Sequence, residues 1–227
     1  MGGSIMSSPL GFKPTLNVIS AICGNFWVES HGSPSIYENL DVIPPADMTN
    51  NYVYGGYGLG QWTNKNGTLT RRTQLIQWLD AHNYSWADGE AQLEYLISEN
   101  YWHNNVGSYL SLTDFLSSSS TNTTDLAYQY MRNWEGVRSF EETRKTYANK
   151  AYNYIDSHYD DPNITIWAKG NRWLSESEWK NNCVLIARWF WDDQTPPAPP
   201  DPPTPVIEIS PEMLMAILTK RRHSFLK

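Results

Sequence analysis

An apolar helical stripe that ends in an acid constrains this chain more than any other feature. From Leu16 to Ser30 the apolar residues fall at Leu16, Ile19, Ile22, Cys23, Phe26 and Trp27, the spacing of one helix face. Pro14 or Thr15 can open this helix, because proline's missing N–H costs nothing in a first turn. Glu29 follows Phe26 by three positions, so it projects with the core-facing residues. A carboxyl on such a face is partly desolvated, and desolvation disfavours its charged form. The negative end of the helix dipole acts in the same direction. A protonated carboxyl at a helix end is a candidate general acid. A glutamate pointing to solvent would give the same letters.

The residues after Glu29 narrow the reading. A turn-rich segment leads into Gly55, Gly56, Gly58 and Gly60, interleaved with Tyr52, Tyr54, Tyr57 and Trp62. Glycines so placed suit a short hairpin where the backbone is closely approached. The rings could stack on a ligand or could be core.

GNFWVES followed by GGYGLGQW resembles the lysozyme-like domain of phage tail proteins, especially the tail-knob lysozymes of short-tailed phages. The Glu-Ser and Gly-Leu-x-Gln pairing is also similar to that of lytic transglycosylases. Ser33-Pro34 stands where the family usually has Asn-Pro, and YMRNWEG resembles the aromatic-Glu segment that closes the domain. The resemblance covers roughly Gly11 to Tyr159. It implies a mainly α, lysozyme-like domain with a small β-hairpin lobe, which cleaves β-1,4 MurNAc–GlcNAc bonds of bacterial peptidoglycan during phage entry. Glu29 would be the catalytic acid. Asp41, in ENLD, matches the family's Asn-Leu-Asp and is the candidate second carboxylate, able to stabilise an oxocarbenium-like transition state or orient a water. Ser30, Tyr57, Gly58, Gln61 and Trp62 would shape the glycan cleft. A lytic transglycosylase would use the same Glu29 without a second acid, and a non-catalytic tail or wall-binding module would keep the fold alone.

Composition agrees with that picture. Aromatic residues make up 14% of the 227, with eleven Trp and fourteen Tyr, which suits both carbohydrate handling and packing. A net charge of −7 without a basic stripe argues against nucleic acid. Cys23 and Cys183 each sit in an apolar stripe and read as buried free thiols. The histidines form no metal-binding spacing, so no metal or cofactor is expected. The sequence has neither a signal-peptide pattern nor a membrane span. A virion tail protein would need neither.

Further along, Arg71 to Ala81 reads as a helix. Asp88 can cap another that carries Leu93, Leu96 and Ile97. The run 117–124, SSSSTNTT, reads as a polar and mobile loop. Leu126, Ala127, Tyr130, Met131 and Trp134 form a stripe, and Ser139 with Glu142 forms a capping box for a longer helix. On that helix His158 reads as a half-buried structural histidine. Ser175 and Glu178 form a second capping box, which opens a helix apolar nearly all round.

The boundaries that follow are an arm at 1–10, a catalytic domain at 11–192, a stiff proline-rich linker at 193–205 and a docking helix at 206–227. In the docking helix, Met213, Leu214, Ile217 and Leu218 offer an apolar patch to other tail proteins or to a second copy. In the family, a helix like 174–191 normally precedes the catalytic helix; here it follows. It is expected to fill the missing neighbour's place, with Cys183 or Ile186 touching the catalytic helix, in this chain or an adjacent one.

Overall fold

The computed structural model describes residues 10–99 and 101–192. These form seven helices and one small antiparallel sheet. The proline-rich linker and the helix expected over 206–227 lie outside the described residues, as do residues 1–9 of the arm expected over 1–10.

The first helix, α1 (Leu16–Ser30), is the axis of the domain. Thr15 caps it by accepting a hydrogen bond from the Val18 N–H. It ends where His31 turns left-handed (φ 48°) and the Gly32 N–H bonds back to the Phe26 carbonyl. Every residue from Val18 to Phe26 is buried, polar Ser20 and Asn25 included, so the helix is enclosed rather than amphipathic.

Three strands follow: β1 (Gly55–Tyr57), β2 (Trp62–Lys65) and β3 (Leu69–Thr70), in the order β1-β2-β3. Gly56 faces Thr63 and Tyr57 faces Trp62 across the expected hairpin. The third strand was not expected, although its signal stands in the sequence. Asn66 and Gly67 both take positive φ, 47° and 73°, and Asn-Gly is the strongest short hairpin turn.

The helices α2 (Arg71–Ala81) and α3 (Gly89–Ser98) come next, and Asp88 caps α3 as expected by accepting from the Glu90 and Ala91 N–H groups. Then follow α4 (Leu112–Leu116), α5 (Thr123–Tyr130), a π turn at Met131–Glu135, α6 (Glu141–His158) and α7 (Glu176–Trp191). His158 is half-buried and stacked on Tyr154, a structural histidine. The capping box of Ser175 and Glu178 opens α7.

Two local expectations are corrected. Ser139 does not cap α6: that helix starts one turn-residue later, after Phe140 in left-handed backbone (φ 59°) with no side-chain cap. The Ser139 carbonyl instead accepts from Arg144 Nε at 3.5 Å, so a buried side chain sets how the chain enters the helix. Nor does the polar run 117–124 read as a free loop. Ser118 is buried, Asn122 caps α5, and Asn17 on α1 donates to the Thr121 carbonyl (3.1 Å) and Thr123 Oγ1 (2.8 Å). Partners distant in sequence hold it, and local composition carries no sign of them.

Helix α7 packs against α1 within the same chain. Trp179 Nε1 donates to the Cys23 carbonyl at 3.2 Å, and the Cys183 thiol hydrogen-bonds with Cys23. Both cysteines are free and buried. Trp179, Cys183, Val184, Ala187 and Phe190 are fully covered, as an all-round apolar helix requires.

Candidate functional site

The site grows from the last turn of α1. Gly24 lets α6 approach closely: a Cβ there would lie 2.5 Å from the Arg144 carbonyl and the Ala148 nitrogen. Asn25, fully buried, donates to the Ala21 carbonyl (2.8 Å) and the Ala127 carbonyl (3.1 Å), which ties α1 to α5. Its Oδ1 accepts from Arg144 Nη1 at 2.9 Å. Arg144 is in turn ion-paired to Glu29 through Nη2. The Glu29 side chain keeps 20% of its surface exposed, while Arg144 keeps 2%. The acid thus meets solvent and its cation does not.

Ser30 joins the two halves of the sequence motif. Its hydroxyl donates to the Leu59 carbonyl at 2.7 Å, from the helix end to the turn between β1 and β2. That turn is packed from behind. Gln92 accepts from the Leu59 N–H at 2.9 Å, and a Cβ on Gly58 would meet the same Gln92 at 2.5 Å. A Cβ on Gly60 would come 2.3 Å from the Trp134 ring. Gln61 takes positive φ (47°) and donates to the carbonyls of Ile36 (3.2 Å) and Gly58 (3.0 Å). These residues hold backbone in place; their side chains face inward.

The cleft residues named from sequence therefore divide. Tyr57 and Trp62 are core, with Tyr57 packed edge-on against Tyr37 and Trp62 fully covered. Neither offers a ring face to a sugar, because the two are paired across β1 and β2 and both are covered. The exposed rings are their neighbours Tyr52 and Tyr54, at 78% and 55% exposure. Tyr54 donates to Glu38 Oε1 (3.0 Å), whose Oε2 accepts from the Gly56 N–H (2.8 Å). Asp41 is exposed and lines a groove of about 170 Å³ with Glu38, Val42 and Tyr54. Glu29 is not among that groove's lining residues.

Sequence reasoning missed the charges under Glu29. Glu99, at the end of α3, accepts from Arg71 Nη2 (2.8 Å), Trp134 Nε1 (3.0 Å) and Trp62 Nε1 (3.1 Å). Burial pushes its carboxyl up, and the Arg71 guanidinium pulls it back. Glu135 closes the π turn. Its carboxyl is driven well above the usual range, by burial first and then by the charge of Glu29. Its covered Oε1 has no hydrogen-bond partner, and neither has the fully buried Tyr130 hydroxyl. YMRNWEG resembles a family segment in the sequence, but nothing local in it shows that its acid lies within the electrostatic reach of Glu29. Arg144 gave no signal at all, since its partner lies 115 positions away.

A buried axial helix ending in a carboxyl, set against a three-stranded sheet and ringed by helices, is the architecture of lysozyme-like domains. Residues 5–155 match the phage tail lysozyme family, and the chain belongs to it. No curated protein matches the chain. The family points to lysozyme-like, peptidoglycan-lytic activity in a phage tail.

Proposed function

We propose that the protein is a muramidase-type hydrolase, which cuts the β-1,4 bond between MurNAc and GlcNAc in peptidoglycan while the phage tail crosses the host wall. The observation that carries this reading is the placement of Glu29. It is the one partly exposed carboxyl at the end of the axial helix, oriented from below by Arg144 and Asn25 and from the side by the Ser30–Leu59 clamp. In this reading Glu29 protonates the leaving glycosidic oxygen. Asp41 remains the candidate for the second carboxylate, on the rim of the groove that also carries Tyr54. Tyr52 and Tyr54 present the rings on which sugar faces can stack. The segment 206–227 is assigned to attachment in the tail.

Glu29→Gln keeps the shape of the side chain and removes its proton. Clearing of a cell-wall suspension should fall by about two to four orders of magnitude, while the protein still melts cooperatively at a somewhat lower temperature because Arg144 loses its ion-pair partner. Near-wild-type clearing by this variant would remove Glu29 from the chemistry. Mass spectrometry of the products reads the reaction type: reducing ends mark hydrolysis, and anhydro sugars mark the transglycosylase that uses the same acid.

A further inference from the structure

Residues 167–174, between α6 and α7, lie beyond the family match, which ends at residue 155. They form a strap along the chain that follows Glu29. The strap is anchored on α7, where the fully buried Asn182 accepts from the Ala168 N–H and donates to the Ala168 carbonyl, both at 2.8 Å. The same Asn182 amide donates to the Gly32 carbonyl at 2.8 Å, which ties the anchor to the turn that ends α1. Gly170 is held from both sides. Its carbonyl accepts from Ser33 Oγ (2.9 Å), and its N–H donates to Ser35 Oγ (2.6 Å). Asn171 then spans the short 3₁₀ turn Glu38–Leu40. Its Oδ1 accepts from the Tyr37 N–H at 3.0 Å, and its Nδ2 donates to the Leu40 carbonyl at 2.9 Å.

That turn needs a hold from outside. Asn39 and Leu40 both take left-handed backbone, with φ 54° and 64°. Asparagine tolerates that conformation; in leucine it costs free energy. From the other side Glu38 accepts from the Tyr54 hydroxyl and the Gly56 N–H, so the turn is fixed between the strap and the sheet. Glu38, Asn39 and Asp41 line the groove together with Tyr54. Asn171 is not among the lining residues. We propose that Asn171 is a positioning residue for glycan binding, which keeps the strained turn in the shape that the groove presents to the sugar chain. The proposal rests on the reading that this groove holds the glycan. Asn171 acts through the turn. Without it the turn relaxes into other shapes, and affinity falls with the fraction of molecules that keep the competent one.

Asn171→Ala removes both bonds from an exposed side chain, so the full chain should fold and melt within a few degrees of the wild type. On a purified oligosaccharide of alternating GlcNAc and MurNAc, KM should rise about five- to fiftyfold, with kcat kept within about twofold. Calorimetry with the same oligosaccharide in the Glu29→Gln background, where no cleavage follows, should show the same loss of affinity. Amide exchange reads the turn without any glycan: the Tyr37 N–H should exchange faster in Asn171→Ala. Asn171→Asp keeps the acceptor for Tyr37 and loses the donor to Leu40, so it should fall between the two proteins in both readings. It carries the test alone if Asn171→Ala does not fold. An unchanged KM, a loss confined to kcat, or unchanged exchange at Tyr37 would each overturn the proposal. If the Glu29→Gln protein binds no oligosaccharide, the groove reading falls and takes this proposal with it. Normal binding that the Asn171 variants leave unchanged overturns this proposal alone.

Discussion

At the scale of single residues, the letters of the GNFWVES motif are mostly supports. Of GNFWVES, Gly24 admits α6, Asn25 carries Arg144, and Ser30 ties the helix to the sheet, while Glu29 keeps part of its side chain exposed. Ser30→Ala should cost about 1–3 kcal/mol, because it leaves the Leu59 carbonyl without its donor in a buried place. A melt would show it, and wall clearing should drop with it as the turn drifts from Glu29. A melt unchanged within error would mean that the clamp contributes nothing. Glu135 makes a second prediction, with a definite sign. A carboxyl raised in the folded state holds its proton where the unfolded chain has lost it. Its effect on stability is therefore absent below the ordinary carboxylate pKa and becomes a growing penalty as pH rises toward the folded value. Glu178, held down to about 2 by Arg172 and Ser175, acts only at lower pH and in the opposite sense. Melting temperature should thus fall as pH climbs above the ordinary carboxylate range, and Glu135→Gln should flatten that decline. Parallel curves for the two proteins would contradict it.

At the scale of elements, close approach decides. Gly24→Ala would force a methyl into the backbone of α6 at 2.5 Å, with no flexible tip to yield. The helices must separate, at a cost of about 1–3 kcal/mol or more, and Arg144 moves off Glu29 with them. Both melting temperature and clearing rate should fall, and loss of neither would refute the contact. Arg72 does for the 47–55 loop what Arg144 does for the site. It is fully buried and donates to the carbonyls of Asp47, Met48, Asn50, Val53 and Gly55. Lysine cannot reproduce that planar fork. Arg72→Lys should destabilise by about 3 kcal/mol, measured by denaturant melt, because it strands several buried carbonyls at once. Helix starts at Thr15, Asp88 and Ser175 were legible in the sequence, because a cap is a local hydrogen bond between a side chain and the next turn. The start of α6 was not, since Arg144 sets it from inside the fold.

At the scale of the whole molecule, the family match ends at residue 155, before α7 begins. The core does not end there. The fully covered Trp179, Val184 and Phe190 of α7 contribute about 1.5–3 kcal/mol each, a sum comparable to the lower part of the about 5–15 kcal/mol that holds a domain together. A chain stopped at residue 155 should therefore show no cooperative melt by circular dichroism, and a sharp melt would show α7 to be dispensable. By itself the sequence determined the helix faces, three of the caps, the hairpin and the acid at position 29, because periodicity, capping and turn chemistry act over a few residues. Only the tertiary structure decided that Tyr57 and Trp62 turn inward while Tyr52 and Tyr54 face out, that Arg144 sits on Glu29, and that Glu135 has a covered Oε1 without a partner in the field of Glu29. Those outcomes depend on which groups the fold brings together out of water. Desolvation and Coulomb interaction are set by distance in space, and spacing along the chain does not contain it.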